Sequence, residues 1–187
     1  GVMTGLHWGA RGPGKSLSRW RWRVSVLQPD SPAFDTAVNS AWERMRAKTN
    51  TMLIGERDAA YVRWRYVQRP AHDHVFLQLR RPWQRRPVGV AVLARVVAGQ
   101  PAHWLDWLGP PALLAQACAM CRTETAHMGA TGLTAWASKA VLARLSNTGI
   151  ESQAEVAHIG VPTNSAVAPD LVAQLDWWFM GGDTDFL

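Results

Sequence analysis

The sequence predicts one α/β (α+β) domain, a mixed, mostly antiparallel, twisted sheet flanked by helices. An amphipathic helix pattern stops at Pro70, and three short apolar runs separated by turn residues follow it, which indicates a β-meander. Beyond the meander, helical and strand patterns alternate. A chain of 187 residues is long enough to bury a core of this kind without a disulfide or a metal.

The first segment, residues 1–18, is rich in Gly, Pro, Ser and His and has no hydrophobic period. This composition predicts a linker or a flexible N-terminal segment, followed by a domain over residues 19–187. Residues Gly9–Ser16 match the phosphate-loop pattern G-x-x-x-x-G-K-[ST]. A phosphate loop needs a buried strand before it and a helix after it, and the sequence predicts neither, so the linker interpretation is preferred.

The domain begins with a strand and two helices. Alternating Trp and Arg from Arg19 predict a half-exposed strand with its Trp and Val residues inward. Asp30-Ser31-Pro32 predicts a helix start. The apolar face of that helix comprises Phe34, Val38, Ala41, Trp42 and Met45.

A second helix is predicted over residues 57–68, with Ala60, Trp64 and Val67 inward. Tyr61 and Tyr66 belong to the same helix. If Trp64 is buried against the sheet, its replacement by Ala should cost about 3–5 kcal/mol.

The meander comprises residues 74–80, 88–97 and 102–108. Its middle run is nearly all apolar and should be a central strand adjacent to 102–108. The remaining elements are a helix across the sheet at 111–128, a strand at 132–138, a helix at 139–147, a strand at 152–161, a short helix after Pro169 and a last strand at 176–180. Cys118 and Cys121 fall on the apolar face of the helix 111–128, which indicates buried thiols and no metal site.

Composition limits the setting and the partners. A net charge of +6 and a pI near 10.1 favour an anionic ligand. Nucleic acid is an unlikely partner, because alternation places the Trp side chains of residues 19–23 opposite the Arg side chains, toward a core. No apolar run approaches the roughly 20 residues that span a bilayer. No signal-peptide pattern is present, so we expect no membrane partner and a cytoplasmic protein.

Two motifs resemble a known family. They are Arg57-Asp58-x-x-Tyr61-x-x-Trp64-Arg65-Tyr66-x-x-x-Pro70 and the closing Gly182-Asp183-x-Asp185. Both are similar to motifs of the GNAT (N-acetyltransferase) superfamily, in particular to one repeat, the C-terminal half, of a tandem-repeat bacterial GNAT protein. The resemblance covers roughly residues 19 to 187.

The resemblance implies an acyl-CoA-dependent N-acyltransferase, with acetyl-CoA or another acyl-CoA as cofactor and a small amine or amino sugar as acceptor. In that fold the third meander strand diverges from the strand 132–138, and the gap holds the pantetheine arm. The implied cofactor-binding residues are Trp104, Leu105, Trp107, Leu108, Gly109, Ala112 and Ser138. The turn Gly109-Pro110-Pro111 departs from the family's Gln/Arg-x-x-Gly-x-Gly/Ala, and its prolines remove two amide donors, which argues against standard CoA binding.

The resemblance also implies roles at the acceptor side. Asp106 is the candidate general base, with hydrogen bonding to the following helix as its structural alternative. Tyr61, Arg65 and Asp183 are candidate substrate-binding residues. Asp183 and Asp185 have an alternative role too, as partners of Arg57 or Arg65 that fix the terminal strand. The family's general-acid Tyr has no counterpart after the strand 132–138, where Ser138 is predicted to cap the next helix.

The sequence is compatible with two functions. The first is the N-acyltransferase. The second is a catalytically degenerate GNAT-like module that serves as a scaffold, a dimerisation half or an anionic-ligand binder, with a second GNAT-like repeat or a homodimer as partner.

Overall fold

The computed structural model describes residues 2–9, 21–69, 73–158 and 176–183. The strands are β1 Val2–Gly9, β2 Arg23–Val26, β3 Met52–Ile54, β4 Val75–Arg80, β5 Gly89–Leu93, β6 Pro101–Leu108, β7 Gly132–Ser138, β8 Ser152–His158 and β9 Asp176–Trp178. The helices are α1 Phe34–Arg46, α2 Ala59–Val62, α3 Leu114–His127 and α4 Lys139–Leu145. A π-helical turn, Arg63–Val67, extends α2, and a 3-10 turn, Pro111–Leu113, precedes α3.

The main sheet has seven strands in the order β2-β4-β5-β6-β7-β1-β8. Only its β6–β7 pair is parallel; the other neighbours are antiparallel. The sheet therefore confirms the predicted mixed, mostly antiparallel class. The adjacency of the second and third meander strands is also confirmed, and β5 is buried along its whole length between β4 and β6.

The linker prediction is wrong for residues 2–9. They form β1, which pairs with β7 on one side and β8 on the other. Its buried residues, Met3, Leu6 and Trp8, do not alternate strictly, because the pairing register shifts between Met3 and Thr4. That irregularity hid the strand pattern. The rest of the segment, with Ala10–Ser16 of the phosphate-loop pattern, lies outside the described residues.

Helices cover both faces of the sheet over two apolar clusters. One cluster joins α1 and α2 to the sheet through residues such as Phe34, Val62 and Phe76. The other joins α3 and α4 to the opposite face through residues such as Trp107 and Leu133. All five residues predicted for the apolar face of α1 are buried, as are Cys118 and Cys121 on α3.

The predicted inward face of α2 is wrong. Trp64 is 63% exposed, and the buried residues are Ala59, Val62 and Tyr66. The Asp58 carboxylate caps the helix by accepting from the Tyr61 amide at 2.8 Å, which fixes where the first turn begins. Ala60, which precedes the π-helical turn, is exposed like Trp64, so the predicted stripe faces solvent from the first turn onward.

The last described residues, 176–183, lie beside an early part of the chain. β9 pairs in parallel with β3, a strand that the sequence pattern did not predict. Met180 bridges to Ala137 of β7. The predicted helix after Pro169 lies outside the described residues. In the described part of the chain, no helix has both the length and the apolar character needed to cross a bilayer.

Candidate functional site

The candidate cleft is the place where β6 and β7 separate. The two strands pair from Pro101 opposite Gly132 to Trp104 opposite Ala135, and no pairing joins them beyond that point. The divergence agrees with the sequence prediction. It leaves one edge of Trp136–Ser138 available to another segment, because β1 occupies the other edge.

Residues 177–183 of the same chain, here called the closing segment, occupy this gap. The Ser138 amide donates to the Phe179 carbonyl at 3.0 Å. The Ser138 hydroxyl donates to the Trp177 carbonyl at 2.6 Å and accepts from the Phe179 amide at 3.2 Å. Ser138 stands at the N-cap of α4 but forms no side-chain capping bond, so its predicted capping role is wrong: its hydroxyl is committed to the closing segment.

A glycine turn brings the closing segment against β6. The turn Gly181–Asp183 has both glycines buried. A Cβ on Gly182 would overlap the Tyr66 hydroxyl and lie 3.1 Å from the Leu105 carbonyl oxygen. Arg65 holds the same turn by donating from Nε to the Gly182 carbonyl at 2.9 Å. Only a residue without a side chain fits this approach.

Arg57 is the centre of a buried polar network at this junction. Its side chain is fully buried, and its Nε donates to both carboxylate oxygens of Asp106 at 3.1 Å. Its Nη2 donates to Asp183 Oδ2 at 2.5 Å, and its Nη1 donates to the Gly55 carbonyl at 2.7 Å. The Arg57–Asp183 pair confirms the predicted alternative in which Asp183 fixes the end of the chain. Asp185 lies outside the described residues.

Asp106, the candidate general base, is buried inside this network. Besides the two bonds from Arg57, it accepts from the Trp107 amide at 2.8 Å and from the Tyr66 hydroxyl at 3.2 Å. No part of its side chain is exposed. A base must reach the proton that it removes. The buried carboxylate is bound by Arg57, Tyr66 and the Trp107 amide, which favours a structural role, although the donors among the described residues are not those of the following helix that the sequence analysis named.

The Arg57 guanidinium faces two buried carboxylates, Asp106 and Asp183. Burial raises the pKa of Asp183 to about 6; Arg57 opposes this shift and the nearby Asp106 adds to it. Burial alone would lower the pKa of Arg57, but Asp106 and Asp183 outweigh it and leave that pKa raised. Burial, with Asp106 next, raises the pKa of Tyr66 well above its ordinary value.

Tyr61 borders the same network and contacts the Tyr66 ring edge-on at 6.4 Å between centroids. Burial, with Asp106 and then Asp183, raises its pKa to about 12. The structure thus brings together the three candidate substrate-binding residues: Tyr61, Arg65 and Asp183. Two of them, Arg65 and Asp183, are engaged in holding the closing segment.

The candidate cofactor-binding residues are nearly all in the interior. Trp104 and Trp107 belong to the core on the α3 side, while Leu105 and Leu108 belong to the core on the α1 side. Gly109 is buried at the end of β6, and Ala112 is exposed in the turn before α3. The residues of β6 are buried because the strand lies in the middle of the sheet and helices cover both of its faces.

The turn before α3 offers few donors for a phosphate. Pro110 and Pro111 have no amide hydrogen. The amides of Leu113 and Leu114 donate to the carbonyls of Pro110 and Pro111 in the 3-10 turn. This leaves Ala112 to supply an amide at a place where helix-terminus anion sites use several.

The sequence analysis did not identify Gly182 as a site residue, and it placed Tyr66 with Tyr61 on the acceptor side of the family while favouring a packing role for both. Tyr66 shares its motif with Arg57 and Tyr61, so their common spacing was a usable signal. No signal in the sequence revealed that Gly182 meets the Tyr66 hydroxyl, because that contact joins segments 116 positions apart.

The structure also changes the surroundings expected for the phosphate-loop pattern. The pattern begins at Gly9, which is the last residue of strand β1. The next described strand begins at Arg23.

Among solved structures, the chain is similar to a GCN5-related N-acetyltransferase from Anabaena variabilis ATCC 29413. The two share 14% sequence identity with a TM-score of 0.47, and the match covers 81% of this chain and 39% of that one. The chain therefore spans about two fifths of that protein's length. No family model and no curated protein matches the sequence.

Proposed function

We propose that this chain is a GNAT-like module that does not carry out acyl transfer in its own cleft and serves as the scaffold half of a two-unit N-acyltransferase. The observation that carries the proposal is the closing segment, which takes the β6–β7 gap where an acyl-CoA arm would lie. A second GNAT-like unit, or a second copy of this chain, is the partner that this role requires.

Two further features support the proposal. Asp106 is bound on both carboxylate oxygens by Arg57 and has no exposed atom. The turn before α3 retains few amides for a pyrophosphate. Together with the closing segment, these two features remove three requirements of transfer: the base, the phosphate contact and the space for the thioester.

The second candidate function is an N-acyltransferase whose cleft opens when the closing segment leaves. One observation favours it: β6 and β7 already diverge after Trp104, so displacement of a few residues would uncover backbone groups of Trp136–Ser138. In that case Asp106 would act on the acceptor amine once Arg57 had been repositioned.

Isothermal titration of the purified chain with acetyl-CoA tests the proposal. We expect no saturable heat up to about 1 mM, a limit that corresponds to roughly 4 kcal/mol of binding free energy. Saturable binding below that concentration, with CoA released when an amine is added, would overturn it.

A matched pair of substitutions separates the two candidates. Ser138→Ala removes two hydrogen bonds of the closing segment, whereas Ser146→Ala removes a hydroxyl on the exposed end of α4. The scaffold proposal expects neither variant to bind acetyl-CoA. Binding by Ser138→Ala alone would establish the second candidate instead.

A further inference from the structure

A second buried arginine is held differently from Arg57. Arg122 lies on α3 and is 9% exposed. Its Nε and Nη2 donate to the Gly9 carbonyl at 3.2 and 2.9 Å, and its Nη1 donates to the Thr148 carbonyl at 3.1 Å. Among the residues that the structure describes, no carboxylate forms an ion pair with it.

The three hydrogen bonds leave part of the guanidinium available. An arginine has five N–H groups, so one remains on each terminal nitrogen after these bonds are counted. The two carbonyls come from the end of β1 and from the turn after α4, and together they hold the guanidinium plane in one orientation. Arg122 therefore links two segments and still has two donors to offer.

Arg122 lines a cavity of about 440 Å³ between α3 and the turn after α4. The α3 side consists of Ala115, Cys118, Ala119 and Arg122, and the other side consists of residues 147–149. Their spacing on α3 puts the four residues on one helix face. The small side chains on this face leave the space open.

Gly149 keeps the guanidinium accessible from the other side. Its φ of +75° lies in the left-handed region, and a Cβ there would lie 3.8 Å from Arg122 Nη1. A larger residue at this position would be strained and would project toward the guanidinium. The residue of this turn that lies beside the guanidinium is therefore a glycine, which takes the least space in the cavity.

A buried cation without a counter-ion is unfavourable, and carbonyl oxygens compensate it only in part. We propose that this cavity binds a small carboxylate with a short apolar tail, held by Arg122. The single positive charge matches a carboxylate monoanion better than a phosphate dianion, and the planar guanidinium matches carboxylate geometry. The Ala side chains of α3 can contact a short tail, while Asn147 and Thr148 make the opposite side of the cavity polar.

Titrations with sodium acetate, sodium butyrate and sodium phosphate at constant ionic strength test this site. The readouts are the NMR signals of the Gly149 amide and the Arg122 Nε–H group. We expect saturable shifts, with butyrate binding up to about tenfold more tightly than acetate because two additional methylene groups are buried. Shifts that do not saturate, or phosphate binding as tightly as butyrate, would overturn the proposal.

Two Ala→Glu substitutions localise the site without removing Arg122. Ala119→Glu puts a carboxylate three residues before Arg122 on the same helix face, where it can pair with the guanidinium. Ala143→Glu makes the same chemical change at an exposed position of α4 outside the cavity lining. We expect butyrate affinity to fall at least tenfold in Ala119→Glu alone; equal affinity in both variants would refute the site.

Discussion

Arg57 and Arg122 are both buried arginines, but different groups compensate their charges. Arg57 forms ion pairs with two carboxylates, one from β6 and one from the closing segment. The closing segment also fills the cleft at this point. Among the described residues, Arg122 is held by main-chain carbonyls and borders an open cavity. The comparison shows one gap in the sheet that a segment of the same chain fills and one cavity beside an arginine that the described residues leave open.

Removing Arg57 should have the largest effect. Arg57→Met leaves Asp106 and Asp183 buried without a counter-charge, and breaking a buried pair in this way costs about 3–5 kcal/mol. Urea denaturation would measure the loss. Adding Asp106→Asn and Asp183→Asn to the same variant should restore part of it, because the uncompensated charges are gone. A loss below about 1 kcal/mol would show that the ion pairs of Arg57 with Asp106 and Asp183 are not buried as described.

The equivalent change at the other arginine should be milder. Arg122→Met leaves the Gly9 and Thr148 carbonyls without their donor, at a cost of about 1–3 kcal/mol. It also removes a buried cation that lacks a carboxylate, which offsets part of that cost. The same denaturation experiment would compare the two variants directly. If Arg122→Met were as damaging as Arg57→Met, the two sites would not differ in charge compensation.

The pH dependence of stability tests the effect of burial on Asp183. The folded pKa of Asp183, about 6, is above its ordinary value of 3.8, so the protonated carboxyl favours the folded state. That contribution is complete below about pH 4 and is lost as pH rises through 6. Relative to Asp183→Asn, the protein should therefore lose on the order of 2 kcal/mol between pH 4 and 7.

Denaturation midpoints of both proteins at stepped pH would measure this difference. Asp183 interacts with Arg57, Asp106, the Met180 amide and the two tyrosines Tyr61 and Tyr66, and all of these groups remain in the variant. A relative gain of stability as pH rises would mean that pairing with Arg57 outweighs burial.

The sequence predicted the meander and the helix–strand alternation because their apolar residues recur at regular spacing, as in β5 and α1. It missed β1, where a register shift between Met3 and Thr4 breaks the alternation. The Arg57–Asp183 pair was foreseen as an alternative from the two charged motifs. The closing segment in the gap was not, because its contacts with Ser138 are mainly through its backbone and leave no side-chain pattern.

The smallest effect is expected at Trp64, the position where the helix face was predicted incorrectly. With 63% of the residue exposed, Trp64→Ala removes little buried area and should change stability by less than about 0.5 kcal/mol. Val62→Ala on the buried face of the same helix is the matched control and should cost about 1–2 kcal/mol through lost packing. Both values come from one urea denaturation series. If Trp64→Ala were the more damaging change, the Trp64 stripe would face the sheet after all, and Tyr66 would lose the position from which it reaches Asp106.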